Sequence, residues 1–217
     1  MAEASLILRA WLHFSNSVNR RRLKAKNFTI LAPTCIAGVI YHKLGLKFLT
    51  PTINLWLTED DFFKFVSNLE YYVKKDVEFE KMHEELNYPI GVIRGERVED
   101  DIRINFNHDK DFEKARKKWN IRKKRIVRDN IYIIASTRSG EDMEKITRYE
   151  KLRDRYKVVV FTARNYKDIP YALRLRRYKK MDKVGSYMVD CPSRFLKRAP
   201  WEIGFDYVRW LNTGKVK

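Results

Sequence analysis

The feature that most constrains the fold is an alternation along the chain. Short apolar, β-branched runs are separated by longer stretches whose apolar residues recur at helical spacing. Phe28–Ala32, Thr52–Leu57, Asp101–Phe106, Ile131–Ala135 and Lys157–Thr162 read as strands, the last being the strongest. Ile36–Leu44, closed by Gly45, reads as a short helix. Further helices are expected from Thr58 onward, from about Asp111 to Val127 and from about Glu141 to Tyr156. Thr58-Glu-Asp-Asp61 resembles a capping box with Asp in the third helical place, and the stripe behind it is Phe62, Phe65, Val66, Leu69, Tyr72 and Val73. Strands alternating with helices of this length favour an α/β fold, a mostly parallel sheet with helices on both faces.

At 217 residues the chain fits one large domain and can bury about 70% of the surface it exposes when unfolded. We divide it into an N-terminal helical extension, 1–26, and a single α/β domain, 27–217. The apolar run Leu6, Ile7, Leu8, Ala10, Trp11, Leu12, Phe14 is too short to span a bilayer, and Arg20, Arg21 and Arg22 follow it rather than precede it, the reverse of secretory order. It is expected to dock as a helix on the domain, with interfacial membrane contact as the alternative. Two distant cysteines, Cys35 and Cys191, build neither a disulfide framework nor a four-thiolate zinc site. A reducing compartment, the cytoplasm or the inner face of the membrane, is the simpler expectation.

Charge narrows the partners. Lys and Arg total 46 against 28 acidic residues, and the excess is uneven. His108–Asn130 holds ten basic and four acidic side chains and Arg164–Lys183 eight and two, whereas Leu57–Asn87 carries nine acidic and four basic. Such polarity gathers anions at one surface, whether nucleotides, phospholipid head groups or nucleic acid.

In parallel sheets ligands sit beyond the strand C-termini, which directs attention to the segments after Ala32, Phe106, Ala135 and Thr162. Ala32-Pro33-Thr34-Cys35-Ile36-Ala37-Gly38 runs from a strand end into a helix. Thr34 is placed to cap that helix, its first N–H groups attract an anion, and the dipole favours a Cys35 thiolate. The competing reading is a small thiol packed under the sheet. The segment lacks the glycines of a phosphate loop or dinucleotide fingerprint. In Asn105-Phe106-Asn107-His108-Asp109, His108 stands where a general base is needed and Asp109 where an N-cap is; a structural histidine is the bland alternative. A Cys35/His108 pair would support nucleophilic acyl chemistry. In the following helix the seam Phe112, Ala115, Trp119, Ile126 has one place filled by Arg122, which must meet a carboxylate such as Asp129 or Asp101, a carbonyl cluster, or a ligand anion. Thr34, Asn107, Arg122 and Arg125 are the candidate anion-binding residues. His13, His42, His83 and His108 show no metal-ligand spacing, so no metal is expected, and no cofactor is indicated.

Thr34-Cys35-Ile36-Ala37-Gly38, Thr50-Pro51-Thr52, Asn68-Leu69-Glu70-Tyr71-Tyr72, Tyr88-Pro89, Phe106-Asn107-His108 and Trp119-Asn-Ile-Arg122 together resemble a bacterial domain family of unknown function, number nineteen-nineteen. The resemblance runs from about Phe28 to Asn212. The family's first motif reads Asn-Cys-Trp-Gly-Gly, so Thr34, Ile36 and Ala37 depart from it, and a Tyr follows the family's histidine where this chain has Asp109. The resemblance implies a setting in capsular or exopolysaccharide biosynthesis. The expected function is therefore a transferase, acyl or glycosyl, or an accessory enzyme acting on an anionic activated donor or a lipid-phosphate acceptor. The alternatives are a nucleic-acid binder using Asp111–Val127 and Arg174–Lys183, where Tyr166, Tyr171 and Tyr178 lie, and a protein docking on anionic membrane through its basic face and N-terminal helix.

Overall fold

The structure, a computed structural model, describes residues 13–140, 143–188 and 199–216. Four parallel strands form the central sheet in the order β1, β5, β6, β7: β1 is Thr29–Leu31, β5 Ile131–Ser136, β6 Lys157–Thr162 and β7 Ala172–Arg174. The near-continuous apolar runs of β5 and β6 are buried along almost their whole length because both sheet faces are covered. Alternate residues feed two separate cores. Ile131, Ile133, Ala135, Val158 and Val160 face one, while Tyr132, Ile134, Val159 and Phe161 face the other.

The second core is closed by α2 (Ile36–Leu44) and α7 (Tyr207–Thr213). Helical residues 13–22, α1, lie against α7, with Asn19 Nδ2 donating to Tyr207 Oη (3.0 Å) and Asn212 Nδ2 to the Arg22 carbonyl (2.8 Å). Docking of the N-terminal segment is thus seen for α1; Leu6–Leu12 lie outside the described residues, as does Cys191. The first core is closed by α3 (Glu59–Ser67), α4 (Leu69–Lys74), α5 (Phe112–Lys123), α6 (Met143–Thr147) and a second sheet. That sheet is antiparallel, β2 (Glu78–Met82), β3 (Pro89–Ile93) and β4 (Ile102–Asn105). Gly91 lets it close on the core: a Cβ there would stand 2.4 Å from Val77 Cγ1 and 3.0 Å from the Phe106 ring.

Several expectations are corrected. The run Asp101–Phe106 contributes β4 to the second sheet, not to the parallel one. Thr52–Leu57 is no strand, being joined to β4 by a single bridge from Trp56 to Asn105. The helix opened by Thr58, whose hydroxyl accepts the Asp61 N–H at 3.1 Å, breaks at Asn68, yet its whole apolar stripe is buried. The helix expected up to Tyr156 is only α6 followed by a 3-10 turn at Glu150–Leu152, and its expected start at Glu141 lies outside the described residues. Asp109 does not cap α5; Asp111 does, accepting the Lys114 N–H at 3.0 Å.

Candidate active site

After β1 the chain turns through Pro33 and Thr34 into α2, with Cys35 at the N-cap. The cap residue makes no side-chain bond to the helix, and the first helical N–H in the ladder is that of Val39, which donates to the Cys35 carbonyl. The N–H groups of Ile36, Ala37 and Gly38 therefore stand outside the ladder at the positive end of α2. Thr34 is not the cap. It lies one residue too early, and its Oγ1 is 3.0 Å from Tyr187 Oη in the buried interior.

The Cys35 sulfur lies 4.0 Å from the Leu55 carbonyl and 3.4 Å from His108 Nε2. Burial pushes the thiol's pKa up, against hydrogen bonding from Leu55 and Asn54. Burial thus favours the protonated thiol, against the thiolate that a helix N-terminus favours. His108 occupies an exposed turn after β4, tightened by the Asp109 N–H on the Phe106 carbonyl (2.9 Å). Among the described residues its Nδ1 has no hydrogen-bond partner, so the arrangement is a pair rather than a triad.

The two residues come from different sheets, and residues 50–57 join them. Thr52 Oγ1 accepts the Ala32 N–H (3.2 Å) and sits 3.1 Å from Thr50 Oγ1, both threonines being wholly buried. The Leu57 N–H donates to the Pro33 carbonyl (3.0 Å), and Trp56 exchanges two 2.9 Å backbone bonds with Asn105. Tyr88 adds to this seam, its Oη accepting from Trp56 Nε1 at 3.3 Å. His108 thus reaches Cys35 through a cross-sheet clasp, not through a parallel strand end. Thr50-Pro51-Thr52 and Tyr88 carry that clasp; sequence reading found them only as motif, since nothing in their order says which strand they meet.

Arg122 holds the same segment from the other side, donating from Nη1 to the Ile53 carbonyl at 3.0 Å. Burial lowers its pKa, with Asp109 opposing. Neither expected carboxylate reaches it: Asp101 is held by Arg94 at 2.7 Å and by the Gly95 N–H at 2.8 Å, and Asp129 is exposed. Among the described residues Arg122 has no ion pair, so a half-buried guanidinium keeps its charge. Arg125 is half-buried one turn on, likewise without a carboxylate among the described residues, and Asn107 is exposed beside His108. No group of three or more His, Cys, Asp or Glu there could hold a metal.

A strap covers this end of the parallel sheet. The Leu175 N–H donates to the Thr162 carbonyl at the end of β6 (2.8 Å), the Val184 N–H to Thr137 beyond β5 (3.2 Å), and Tyr187 reaches Thr34 beyond β1. Residues 175–187 therefore cross from β7 to β1 above every strand C-terminus, with Leu175, Tyr178, Val184 and Tyr187 buried beneath. A cleft of about 540 Å³ lined by Phe14, Asn19, Arg22, Lys43, Glu202 and Tyr207 includes none of the Cys35 site.

Among the described residues no helix is long and apolar enough to cross a membrane. A model of the family described as Domain of unknown function (DUF1919) matches residues 9–212. An uncharacterized protein of Haemophilus influenzae is 28% identical over 199 residues, covering 92% of this chain and 91% of the relative.

Proposed function

The chain belongs to the family described as Domain of unknown function (DUF1919), and from that premise and the meeting of Cys35 with His108 we propose a transferase that carries an acyl group as a thioester on Cys35. The observation that carries the reading is the 3.4 Å approach of Sγ to Nε2, made by residues 73 positions apart. A thiol whose proton is retained by burial needs a base at the moment of attack, and an imidazole at hydrogen-bond distance is such a base.

In the first half-reaction the sulfur attacks the acyl carbonyl, its proton passes to His108 Nε2, and the carbon–leaving-group bond breaks as that proton is returned to the departing group. In the second, His108 takes the proton of an acceptor hydroxyl, the hydroxyl oxygen attacks the thioester, and the sulfur leaves with the proton. The open N–H groups of Ile36 and Ala37 are donors for the developing oxyanion. Arg122, with Arg125 and Asn107, suits a phosphate-bearing activated donor, because no carboxylate among the described residues forms an ion pair with it. Thr34 contributes its place in the backbone, its hydroxyl being engaged by Tyr187. The acceptor we propose is a saccharide hydroxyl, free or lipid-phosphate-linked, in surface-polysaccharide assembly on the cytoplasmic side, the setting that the family resemblance implies.

The test is intact-mass and peptide analysis after incubation with a panel of acyl-coenzyme A donors. The expected result is an acyl adduct on the Cys35 peptide, absent in Cys35→Ala and formed about 10²–10⁴-fold more slowly in His108→Ala. No adduct with any donor, together with thermal stabilisation by nucleotide sugars, would replace acyl by glycosyl transfer.

A further inference from the structure

The strap has a second face. In residues 174–183, Arg174, Arg176, Arg177, Lys179, Lys180 and Lys183 are all exposed, and Asp182 is the single acid among them. No ion pair among the described residues neutralises any of the six, whereas α5, equally basic in sequence, pairs Lys114, Arg116, Lys118 and Lys123 with Asp111, Glu113, Asp109 and Asp76. Among the strap's cations stands Met181, 47% exposed. The rings that could stack on nucleic-acid bases are turned inward: Tyr171 and Tyr178 are 3% and 2% exposed, and Tyr166 packs against the first core. A sequence-indifferent single-strand binder needs aromatic faces beside its cations. This face offers cations and one flexible apolar side chain, the composition of a surface that settles on charged lipid head groups.

We propose that the outward face of residues 174–183 docks on an anionic lipid bilayer, turning the strand C-terminal end of the parallel sheet, where Cys35 and His108 meet, toward that surface. The geometry gives the docking an orientation. The strap's bonds to Thr162 and Thr137 and its contact with Thr34 fix it at that end of the sheet. Helix α1 sits at the other, since Arg20 Nε donates to the Lys43 carbonyl in the last turn of α2, about 12 Å along the helix from Cys35. The described part of α1 therefore does not share the docking face. The proposal stands whether or not Cys35 carries an acyl group, and it is read by binding alone.

The experiment is flotation of the full chain with vesicles of equimolar phosphatidylglycerol and phosphatidylcholine, and with phosphatidylcholine alone. Flotation is expected with the anionic vesicles only, and it should fade at about 1 M salt, where screening acts within ~3 Å. Each cation removed should weaken partitioning about fivefold, so the combined variant R176A/R177A/K179A/K180A should lose on the order of several hundred-fold. The matched variant K114A/K117A/K118A/K124A, on α5, should float within about threefold of the parent. Absence of flotation, flotation with neutral vesicles alone, equal loss in the two variants, or retention of an oligonucleotide in place of vesicles by the same four cations would each overturn the proposal.

Discussion

Helix α5 and the strap at 174–187 read alike in sequence and differ in structure. Both are rich in Lys and Arg, and both bury one face, through Ala115 and Trp119 in α5 and through Tyr178, Val184 and Tyr187 in the strap. Around α5, acids from its cap and first turn, from Asp109 and from Asp76 meet Lys114, Arg116, Lys118 and Lys123, while Arg122 turns to a backbone carbonyl. Along the strap no acid among the described residues meets a cation. A charge count thus measures composition, while the field at a surface depends on which carboxylates fold beside the cations. The helix meets four of its cations with its own neighbourhood's acids, and the strap presents its charge outward.

The comparison breaks first at the buried faces. Tyr178→Ala and Trp119→Ala should each cost about 3–5 kcal/mol in urea unfolding, because each removes a ring almost wholly excluded from solvent. A cost below about 1 kcal/mol for Tyr178→Ala alone would mean that the strap is not seated on the sheet end. Smaller effects should follow at the polar contacts. Asp111→Ala removes the α5 cap and should cost about 1 kcal/mol, lowering the melting midpoint by roughly 2–4 °C. Arg122→Ala leaves the Ile53 carbonyl without its donor, again about 1 kcal/mol, and should weaken binding of any anionic donor well beyond that change in stability. The smallest effects carry the sharpest contrast, since they differ in sign. Arg116→Ala should destabilise by a few tenths of a kcal/mol at low salt and not at high salt. Lys179→Ala should be neutral or slightly stabilising, because it relieves repulsion among unpaired cations in a chain of net charge +18.

Much of the parallel half of the molecule was legible. Lys157–Thr162 and Ile36–Leu44 with Gly45 stand where the pattern puts them, because continuous β-branched runs and a left-handed glycine cap are local signals. The antiparallel half was not. Strand β2, Glu-Phe-Glu-Lys-Met, is a charged edge strand with Phe79 half exposed, so it carries no apolar alternation to read. Cys35 and His108 were legible as residue types at strand-to-helix turns, and their meeting was not, since it depends on the pairing of Trp56 with Asn105. Arg122 was legible as a misfit on an apolar seam, while its partner, a backbone carbonyl 69 residues away, leaves no mark in sequence. Tyr166, Tyr171 and Tyr178 are legible as neighbours of the basic patch in sequence, and the burial of Tyr171 and Tyr178 beneath it is not.

In the proposed chemistry His108 takes the proton from a half-buried Cys35 thiol. This transfer is tested most directly by the pH dependence of Cys35 alkylation in a Cys191→Ser background, where Cys35 is the sole cysteine. Because burial raises the thiol's pKa, uncatalysed alkylation should require higher pH than for an open cysteine. With His108 present, alkylation at neutral pH should run about 10²-fold faster than in His108→Ala, the two profiles converging as pH rises and the thiol ionises unaided. Superimposable profiles for the two proteins would contradict it.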